Sequence, residues 1–421
     1  MVLGIISIIS ARGFSFTLHR LLRRRIDPAS PPTGTTATTS AKRRFEVIMA
    51  SSASSSSSSS SSANDDDDGR RWRPCAGAAV LNSKNEILVG ERLGKPGMWQ
   101  APQGGIDGSD NSATDAAIRE LYEEVGLVNG RDVLAEEGTT TTDASTTTTT
   151  AAVVVKCKYE TGGTGSWLEE EGYAGQELHW VVFRCASSLL ETDPTAACDL
   201  SGMNGEKPEF SAVRWETLDR VVDEIWEQKS PPYRALREHC APLMERWEGR
   251  CAEFDLGGRW SRDNARNAGV EEALEARGMS VVDAKRKASE PYVQNWRRHD
   301  GRRGEWIATT YYGAGTGGND EQPRRELHYP MGEFEEGYSG TSAIFGGNGG
   351  GDVVRRNCFY LAESHADGGI AHVTVTDTPL GKEESMRYVN KDGELVLRRT
   401  FSPSLCGTEN RIVSTEIFTK C

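Results

Sequence analysis

The sequence predicts two folded parts of different class: a first part that combines helices with strands, and a second that is an all-β antiparallel barrel. An amphipathic helix closed by a glycine within residues 104–127, and an apolar strand at 175–184, indicate the first part. Short alternating runs between residues 306 and 419, with turn signals such as 390–393, indicate the second. A chain of 421 residues is long enough for two or three domains.

Residues 1–69 have the composition of an unfolded leader. Residues 51–62 are almost all serine and 65–68 are aspartates, and neither run has apolar surface to bury. The preceding residues are rich in arginine, serine and threonine and poor in acids, which is typical of an organellar transit peptide. We therefore expect a location in the mitochondrion or plastid, or in the cytoplasm if translation starts at Met49. The apolar run 2–9 is too short to span a bilayer as a helix.

The helix within residues 104–127 has recognisable ends. Asp110, Asn111 or Ser112 can cap its N-terminus, and Gly126 is placed to end it in a left-handed conformation. Its apolar side, at about 100° per residue, is formed by Ala117, Ile118, Leu121 and Val125. We expect this side to anchor the helix and the neighbouring acidic side to face a cleft.

A cluster of carboxylates lies beside that apolar side, on Glu120, Glu123 and Glu124, with Arg119 at its edge. Like charges at this helical spacing repel each other, so the cluster is costly unless a cation neutralises it. Carboxylate oxygens are ligands that Mg²⁺ and Mn²⁺ prefer. The residues therefore favour a metal-dependent hydrolase of phosphoanhydrides. The alternative is an amphipathic helix with a solvated acidic face.

Residues 119–127, RELYEEVGL, resemble the second half of the Nudix box GX5EX7REUXEEXGU, in which U is aliphatic, at every fixed position. In the first half, counting back from Arg119 puts Asn111 where the first glutamate belongs, whereas one inserted residue puts Asp110 there. The segments GMWQAPQGGID, GQELHWVVFR and PEFSAVRW resemble the RNA pyrophosphohydrolase and diadenosine polyphosphate hydrolase subfamily. The resemblance covers residues 70–245. It implies an α+β Nudix fold, a mixed sheet between helices. The threonine-rich composition of residues 139–150 predicts a loop insertion within this fold.

The same resemblance implies a catalytic metal site. The residues that would hold Mg²⁺ or Mn²⁺ are Gly104, Glu120, Glu123, Glu124 and a glutamate from a distant loop, Glu209. Such ions reverse the local negative charge, bind phosphate oxygens and acidify a water for in-line attack. Supporting positions are Gly105, Arg119 and Gly126. For Glu209 the alternative is a surface charge before a strand.

Substrate contacts are predicted from residue type. The basic residues that can contact phosphate are Arg92, Lys95, Lys156 and Lys158, with plain surface positions as the alternative. Trp99 and Tyr159 can stack on a base, and for Trp99 a core position is the alternative. The implied activity is Mg²⁺-dependent cleavage of a nucleoside polyphosphate such as diadenosine tetraphosphate, or of an RNA 5′-triphosphate. The alternative is a non-catalytic protein that senses a nucleotide or a lipid, and the oligomeric state is left open.

Residues 253–421 are predicted to form the barrel, with a short helix pair between residues 264 and 278. The segments FDLGGRW, KDGELVLRRTF and STEIFTK, in that order, resemble the fatty-acid-binding-protein branch of the calycins. That resemblance implies an apolar ligand held by arginines and a tyrosine, for which Arg387 matches one arginine within a one-residue shift. Glu416 and Phe418 replace the C-terminal pair. The alternative is a barrel kept for packing or partner contact.

Net charge and cysteine spacing argue against some classes of binding site. The net charge of −13 argues against tight nonspecific binding of nucleic acid through a basic surface, although it leaves an RNA 5′ end as a substrate. The nine cysteines have no CxxC spacing, which disfavours a zinc site and a secreted disulfide framework. Reduced thiols in an intracellular protein are expected.

Overall fold

The computed structural model describes residues 48–49, 69–143, 146–161, 167–302, 304–313, 323–337, 353–362, 369–404 and 411–421. The transit-peptide prediction therefore lies outside the described residues. Residues 45–421 form a compact unit. Among the described helices, none combines the length and the apolar character that crossing a bilayer requires. The cysteines within the described ranges are free thiols.

The first half is built on a mixed sheet. Its strands are β1 (Ile48–Met49), β2 (Trp72–Leu81), β3 (Ile87–Arg92), β4 (Trp99–Gln100), β5 (Gln103–Gly105), β6 (Val133–Ala135), β7 (Glu137–Asp143), β8 (Thr146–Ala152), β9 (Val154–Glu160), β10 (Gly175–Cys185) and β11 (Phe210–Glu216). The main order is β1-β9-β10-β2-β3-β11, with β4, β5 and β6 paired at its sides. β10 runs parallel to β2, and the other neighbours in this order are antiparallel.

Two helices cover opposite faces of this sheet. The helices of the first half are α1 (Ala113–Val125), α2 (Trp167–Glu170), α3 (Ser188–Thr192), α4 (Pro194–Ala197), α5 (Leu218–Glu224) and α6 (Ser230–Glu253), with a 3₁₀ turn at Glu227–Lys229. Ala76, Ala78 and Val80 of β2 pack with α1, whereas the alternate residues Cys75 and Ala79 pack with α6. Because successive strand residues point to opposite faces, β2 is buried on both sides. The predicted α+β fold, a mixed sheet between helices, is confirmed.

Gly77 marks one of the close contacts within the sheet. A Cβ at this position would lie 2.5 Å from the Trp180 ring of β10, the neighbouring parallel strand. The Trp180 indole in turn donates to the Pro232 carbonyl in the first turn of α6, at 3.1 Å. A glycine at position 77 therefore lets Trp180 link the sheet to α6.

Two local expectations need correction. The threonine-rich run, predicted as a loop insertion, forms an antiparallel ribbon of β7 and β8, in which Thr140 is opposite Thr148. Threonine is β-branched and fits a pleated strand, so composition alone underestimated its order. The helix predicted near 217–228 is shorter: α5 ends at Glu224, Ile225 is extended, and the 3₁₀ turn follows.

The second half is an antiparallel sheet of 10 strands. These are β12 (Gly258–Arg262), β13 (Tyr292–Arg298), β14 (Trp306–Tyr312), β15 (Arg325–Tyr329), β16 (Gly332–Gly337), β17 (Val353–Ala362), β18 (Ile370–Thr378), β19 (Gly381–Val389), β20 (Leu395–Pro403) and β21 (Ile412–Lys420). The helix pair is α7 (Val270–Ala276) and α8 (Val281–Ser289), both between β12 and β13.

Strand order shows how this sheet curls. The first strand, β12, pairs with the last, β21, and the order then ends at β15 on one side and β16 on the other. β15 and β16 follow each other in the chain, so a seam between them interrupts an otherwise continuous ring of pairing. The predicted all-β, calycin-like barrel with a short helix pair is confirmed, but the pair extends to Ser289 rather than ending at residue 278. β16 (GEFEEG) is a strand that its acidic sequence did not suggest.

The outer face of the barrel is buried against the first half. Phe359, Val373 and Met386 are aligned across β17, β18 and β19, and they share one apolar cluster with Phe183 and Leu190 of the first half. Near the end of α6, Trp247 packs with Tyr360 and Ile370 of the barrel. The two halves therefore share a core, and the first-domain boundary predicted at residue 245 lies inside α6.

Candidate active site

Ser112, one of the three predicted capping residues, caps the N-terminus of α1. The Ser112 hydroxyl accepts a hydrogen bond from the Asp115 amide at 3.1 Å, and Gly126 has φ 70° and donates its N–H to the Tyr122 carbonyl. The buried residues of the helix include Ala117, Leu121 and Val125, as expected from their spacing. The helix thus carries its acidic residues along the wall of a cleft.

Arg119 holds the acidic residues together. Its Nη1 donates to Glu120 Oε1 at 2.8 Å and to Glu123 Oε2 at 2.9 Å, and its Nη2 donates to the Gly105 carbonyl at 2.8 Å. The hydrogen bonds to its carboxylate partners, Asp110 first, raise the pKa of the guanidinium above its usual value. Arg119 therefore fixes the orientation of two acidic side chains at once.

Asp110, rather than Asn111, occupies the place of the box's first glutamate. Its carboxylate accepts hydrogen bonds from Arg119 Nε at 3.2 Å and Nη2 at 2.9 Å, and from the Asp107 amide at 2.8 Å. The Arg119 hydrogen bonds lower the pKa of this carboxyl. Asn111 is exposed. The one-residue insertion therefore keeps a carboxylate on Arg119 and changes only the spacing of the loop.

Glu124 and Glu120 lie where the charged form of a carboxylate is destabilised. Glu124 is buried, and its Oε2 accepts from the Gln103 amide at 3.1 Å while its Oε1 has no hydrogen-bond partner among the described residues. Burial raises the pKa of Glu124, and the charges of Glu209 and Glu120 raise it further. Burial raises the pKa of Glu120 to about 7. The carboxylates are therefore close enough to disfavour each other's charge.

The glycine pair before α1 allows close approach. A Cβ at Gly104 would lie 2.1 Å from Glu120 Oε1, and one at Gly105 would lie 2.5 Å from Arg73 Nη2. Any side chain at either position would displace an acidic or a basic group of the cleft. The backbone of β5 therefore forms part of the cleft floor.

Glu209 lines the same cleft, but an arginine holds it. Arg92 Nη2 lies 3.6 Å from Glu209 Oε2, so these two residues form an ion pair. Glu120 and Glu123 are paired in the same way with Arg119. Within the described ranges, no three His, Cys, Asp or Glu side chains are gathered closely enough to bind a metal. The donor set still fits a divalent cation, because Glu124 Oε1 is buried without a partner and the neighbouring carboxylates repel each other.

The cleft has a volume of about 780 Å³. Its lining includes the carboxylates Glu120, Glu123, Glu124 and Glu209, the basic residues Arg73, Arg92, Arg119, Lys95, Lys207 and Lys229, and the aromatic residues Tyr159, Trp167 and Trp226. The structure therefore brings the predicted acidic residues together with Gly104, Gly105, Arg92, Lys95 and Tyr159. Their catalytic and binding roles stay predictions.

Three predicted substrate contacts lie outside the cleft lining. Lys156 and Lys158 alternate along β9 with the buried residues Cys157 and Tyr159, so they point to the other side of the strand. Lys158 Nζ lies 3.5 Å from Glu177 Oε2 instead. Trp99 is partly buried and packs against the core on the α6 side, with the Arg214 guanidinium 4.0 Å from its ring centre. Its core alternative was the better interpretation.

The structure adds residues to which the sequence gave no role. Lys229 is buried at the start of α6, and its Nζ donates to Gln100 Oε1 at 2.8 Å. Burial lowers the pKa of Lys229 to about 8. Arg73 lies 4.9 Å from the ring centre of Trp167, which is half-exposed. Arg73 and Lys229 stand in or beside segments that carry the family resemblance, but only the fold shows that they reach the cleft.

Comparison with known proteins decides the family. The family model for the NUDIX domain matches residues 71–236. Nudix hydrolase 25 of Arabidopsis thaliana is 32% identical over 163 residues, which are 38% of this chain and 82% of that protein. This chain belongs to the Nudix hydrolase family. The RNA pyrophosphohydrolase of Sphingopyxis alaskensis is similarly 32% identical over 175 residues, 41% of this chain and 95% of that protein. The acidic cleft therefore lies in the Nudix half of the chain.

The barrel has its own structural neighbours. A fatty-acid-binding protein from the brain of Drosophila melanogaster is 14% identical and covers 39% of this chain and 98% of its own, with a TM-score of 0.27. In the barrel described here, Glu416 pairs with Arg262 at 2.9 Å and also with Arg399. Arg387 is buried, donates to Thr374 Oγ1 at 3.0 Å, and lies near the Trp296 and Tyr329 rings. Ionic and aromatic groups therefore line the interior of the barrel.

Proposed function

We propose that this protein is a Mg²⁺-dependent pyrophosphohydrolase, with Mn²⁺ as a substitute, that cleaves a phosphoanhydride bond of a nucleoside polyphosphate. The observation that carries this proposal is the gathering of Glu120, Glu124 and Glu209 in one cleft, where burial first and the neighbouring carboxylates second raise the pKa values of Glu120 and Glu124. Such a cluster is stable at neutral pH when a cation neutralises it. Dinucleoside polyphosphates and RNA 5′-triphosphates are the two substrate classes to compare.

The carboxylates of Glu120, Glu123, Glu124 and Glu209 and the backbone at Gly104 would hold the cation. When bound, it supplies positive charge at the phosphate oxygens and lowers the pKa of a bound water. Arg119 orients Glu120 and Glu123 through its two Nη1 hydrogen bonds. Glu124 Oε1, which lacks a partner among the described residues, is the carboxylate oxygen available to a ligand or a proton.

The rest of the cleft suits an anionic chain that ends in a base. Arg73, Lys95 and Lys229 line it, and their charges can balance those of the substrate's phosphates. Trp167 is 50% exposed at the cleft, so its ring can stack on a base. This role replaces the one that the sequence suggested for Trp99.

The direct test is phosphate release from diadenosine tetraphosphate with Mg²⁺, using the full chain. Glu123→Gln should lower kcat at least about a hundredfold, the size expected when metal-centred charge stabilisation is lost. Glu245→Gln is the matched control, because Glu245 is an exposed glutamate on α6 away from the cleft. Equal activity of Glu123→Gln and the wild type would refute the proposal.

The same assay with 5′-triphosphorylated RNA in place of the dinucleotide decides between the two substrate classes. Omission of the divalent cation should abolish turnover of either substrate. Tight binding of both substrates by the wild type without turnover would favour the alternative, a protein that senses nucleotides.

We further propose that the barrel serves the protein by packing rather than as a carrier of an apolar ligand. Support comes from its outer face, which is buried against the Nudix half, and from interior ion pairs such as Arg262–Glu416 and Arg277–Glu383. The full chain should fail to bind a fluorescent fatty acid that a fatty-acid-binding protein binds. Saturable binding, displaced by oleate, would overturn this part.

The organellar location stays a separate proposal, supported by the basic, acid-poor composition of the leader. Residues 1–69 fused to a fluorescent protein should direct it to the mitochondrion or plastid. A diffuse cytoplasmic signal would contradict it.

A further inference from the structure

Two lysines from distant parts of the chain approach one aromatic ring in the cleft. Lys95 Nζ lies 5.7 Å and Lys229 Nζ 5.5 Å from the ring centre of Trp226. Lys95 lies in the turn between β3 and β4, whereas Lys229 ends the 3₁₀ turn before α6. All three residues line the cleft that contains the acidic cluster. The fold therefore gathers two ammonium groups around Trp226.

These two lysines differ from the paired cations of the cleft. Arg119 and Arg92 face carboxylates, but neither Lys95 nor Lys229 has a carboxylate oxygen within 4.0 Å among the described residues. Lys229 is buried, and its Nζ has the neutral Gln100 Oε1 as hydrogen-bond acceptor at 2.8 Å. A buried ammonium is costly unless counter-charges compensate it. The Gln100 amide oxygen supplies part of that compensation, and the carboxylates of Glu124 and Glu209 act on Lys229 from farther away.

The environment of Lys229 is fixed from a second side. Gln100 is 3% exposed on β4, and its Nε2 has no hydrogen-bond partner among the described residues. Because Gln100 is buried, its side chain has little room to move, and its Oε1 holds the Lys229 ammonium at the cleft wall beside Trp226. Two ammonium groups in one cleft repel each other, and a bound polyanion offsets that repulsion because it attracts both of them.

We propose that Trp226 is a positioning residue that holds Lys95 and Lys229 together as a subsite for the phosphates of the substrate that the acidic cluster does not bind. This inference rests on the proposed function, since it names how that site selects its substrate. A longer phosphate chain offers more phosphate groups to the two lysines while one end lies at the acidic cluster of the same cleft. The enzyme therefore prefers substrates with long phosphate chains.

The inference predicts a change in KM rather than in kcat. Trp226→Leu keeps an apolar side chain but removes the ring, so both lysines lose their cation–π partner. KM for diadenosine tetraphosphate should rise about fivefold to tenfold, the range expected from losing cation–π contacts, while kcat stays within about twofold. For diadenosine diphosphate the rise in KM should be smaller. Trp226→Phe, which retains a ring, should restore most of the loss.

A double-mutant cycle separates positioning from packing. If Trp226 acts through Lys95, then Trp226→Leu should matter less in a Lys95→Met background than in the wild type. Trp167→Leu is the matched control, because it removes another tryptophan that lines the cleft and should raise KM for both chain lengths by the same factor. Melting temperatures of all variants identify any that are merely misfolded.

The same variants are measured for equilibrium binding of diadenosine tetraphosphate in EDTA, where no turnover occurs. This arm separates the two proposals. A wild type that binds but does not turn over substrate with Mg²⁺ contradicts the proposed function, while a weakened Kd in Trp226→Leu still supports the subsite. Unchanged KM and Kd in Trp226→Leu, or strict additivity with Lys95→Met, would overturn the inference.

Discussion

The Asp110 carboxylate accepts two hydrogen bonds from the Arg119 guanidinium, at 3.2 Å from Nε and 2.9 Å from Nη2. Because Arg119 also binds Glu120 and Glu123, Asp110 orients the acidic cluster indirectly. The carboxylate thus does the structural work of the missing glutamate from a position one residue away.

Replacing Asp110 by asparagine should weaken both the fold and the activity. Loss of the charged hydrogen bonds should lower the free energy of unfolding by about 1.5–3 kcal/mol. Activity on diadenosine tetraphosphate should fall roughly tenfold or more, as is typical when a residue that orients metal ligands is changed. Asn111→Ala, at the exposed neighbouring position, should change neither quantity. If Asn111→Ala proved the more damaging, the assignment of Asp110 would be wrong.

Cation-free protein should lose stability as the pH rises through about 7. Glu120 has a pKa of about 7, and the pKa of Glu124 is also raised. Both carboxylates therefore bind protons more tightly in the folded protein than in the unfolded chain. Their contribution to stability is therefore complete below the ordinary carboxyl pKa of 4.5 and is lost as pH rises through the folded values. A divalent cation should offset this loss, so Mg²⁺ should raise the melting temperature more at about pH 8 than at about pH 5.

Thermal unfolding in EDTA and in Mg²⁺ measures this effect. Glu120→Gln should be less sensitive to pH in EDTA, because the uncharged amide does not titrate. A Mg²⁺ effect that is equal at both pH values would contradict the coupling of protons and cation.

The shared core should make the barrel's outer face intolerant of charge. Val373→Asp places a carboxylate in the cluster between the halves and should cost about 3 kcal/mol or more of unfolding free energy. Val413→Asp makes the same change on the outside of β21, where the valine is 44% exposed, and should cost less than about 1 kcal/mol. Chemical denaturation of the two variants compares them directly. Similar losses would mean that burial at this face is not what matters.

Inside the barrel, two buried arginines should differ in importance. Arg262→Met leaves Glu416 with one cationic partner instead of two and removes hydrogen bonds to the Lys287, Ala288 and Glu290 carbonyls, so it should cost about 3 kcal/mol or more. Arg387→Met leaves no carboxylate of the described residues without its cationic partner, so it should lower the free energy of unfolding by less than about 1 kcal/mol. Denaturation midpoints at neutral pH test the order, and the reverse order would contradict the ion-pair assignment.

Much of the catalytic half followed from local sequence because its determinants are local. The spacing of Leu121 and Val125 fixed the buried side of α1, so the acidic residues had to lie beside it. Gly126 ended the helix as its left-handed conformation allows. These features depend on neighbours three or four residues away, which a sequence displays directly.

Features that depend on distant partners were not readable in the same way. The alternation on β9 separates Lys158 from Tyr159, but it does not say which side faces the cleft. Trp99 and Trp167 are equally aromatic in sequence, and only the sheet and α2 decide which one is exposed. Trp226 gathers lysines that lie more than a hundred residues apart.

The two halves are joined more closely than their separate sequence patterns suggest. The described residues of 253–421 contribute no residue to the lining of the cleft. The structure places Phe359 and Val373 in the same cluster as Leu190, and α6 extends past residue 245 to reach the barrel. A fragment that ends at 245 would expose apolar surface that the full chain covers.

The indole of Trp247 gives this joining a particular consequence. It donates to the Ser83 carbonyl of the Nudix half at 3.2 Å while its ring contacts the barrel residues Tyr360 and Ile370. A single side chain thus belongs to both folding units, and heat or denaturant should melt them in one cooperative transition. A substitution in either half should therefore change the stability of the other half as well.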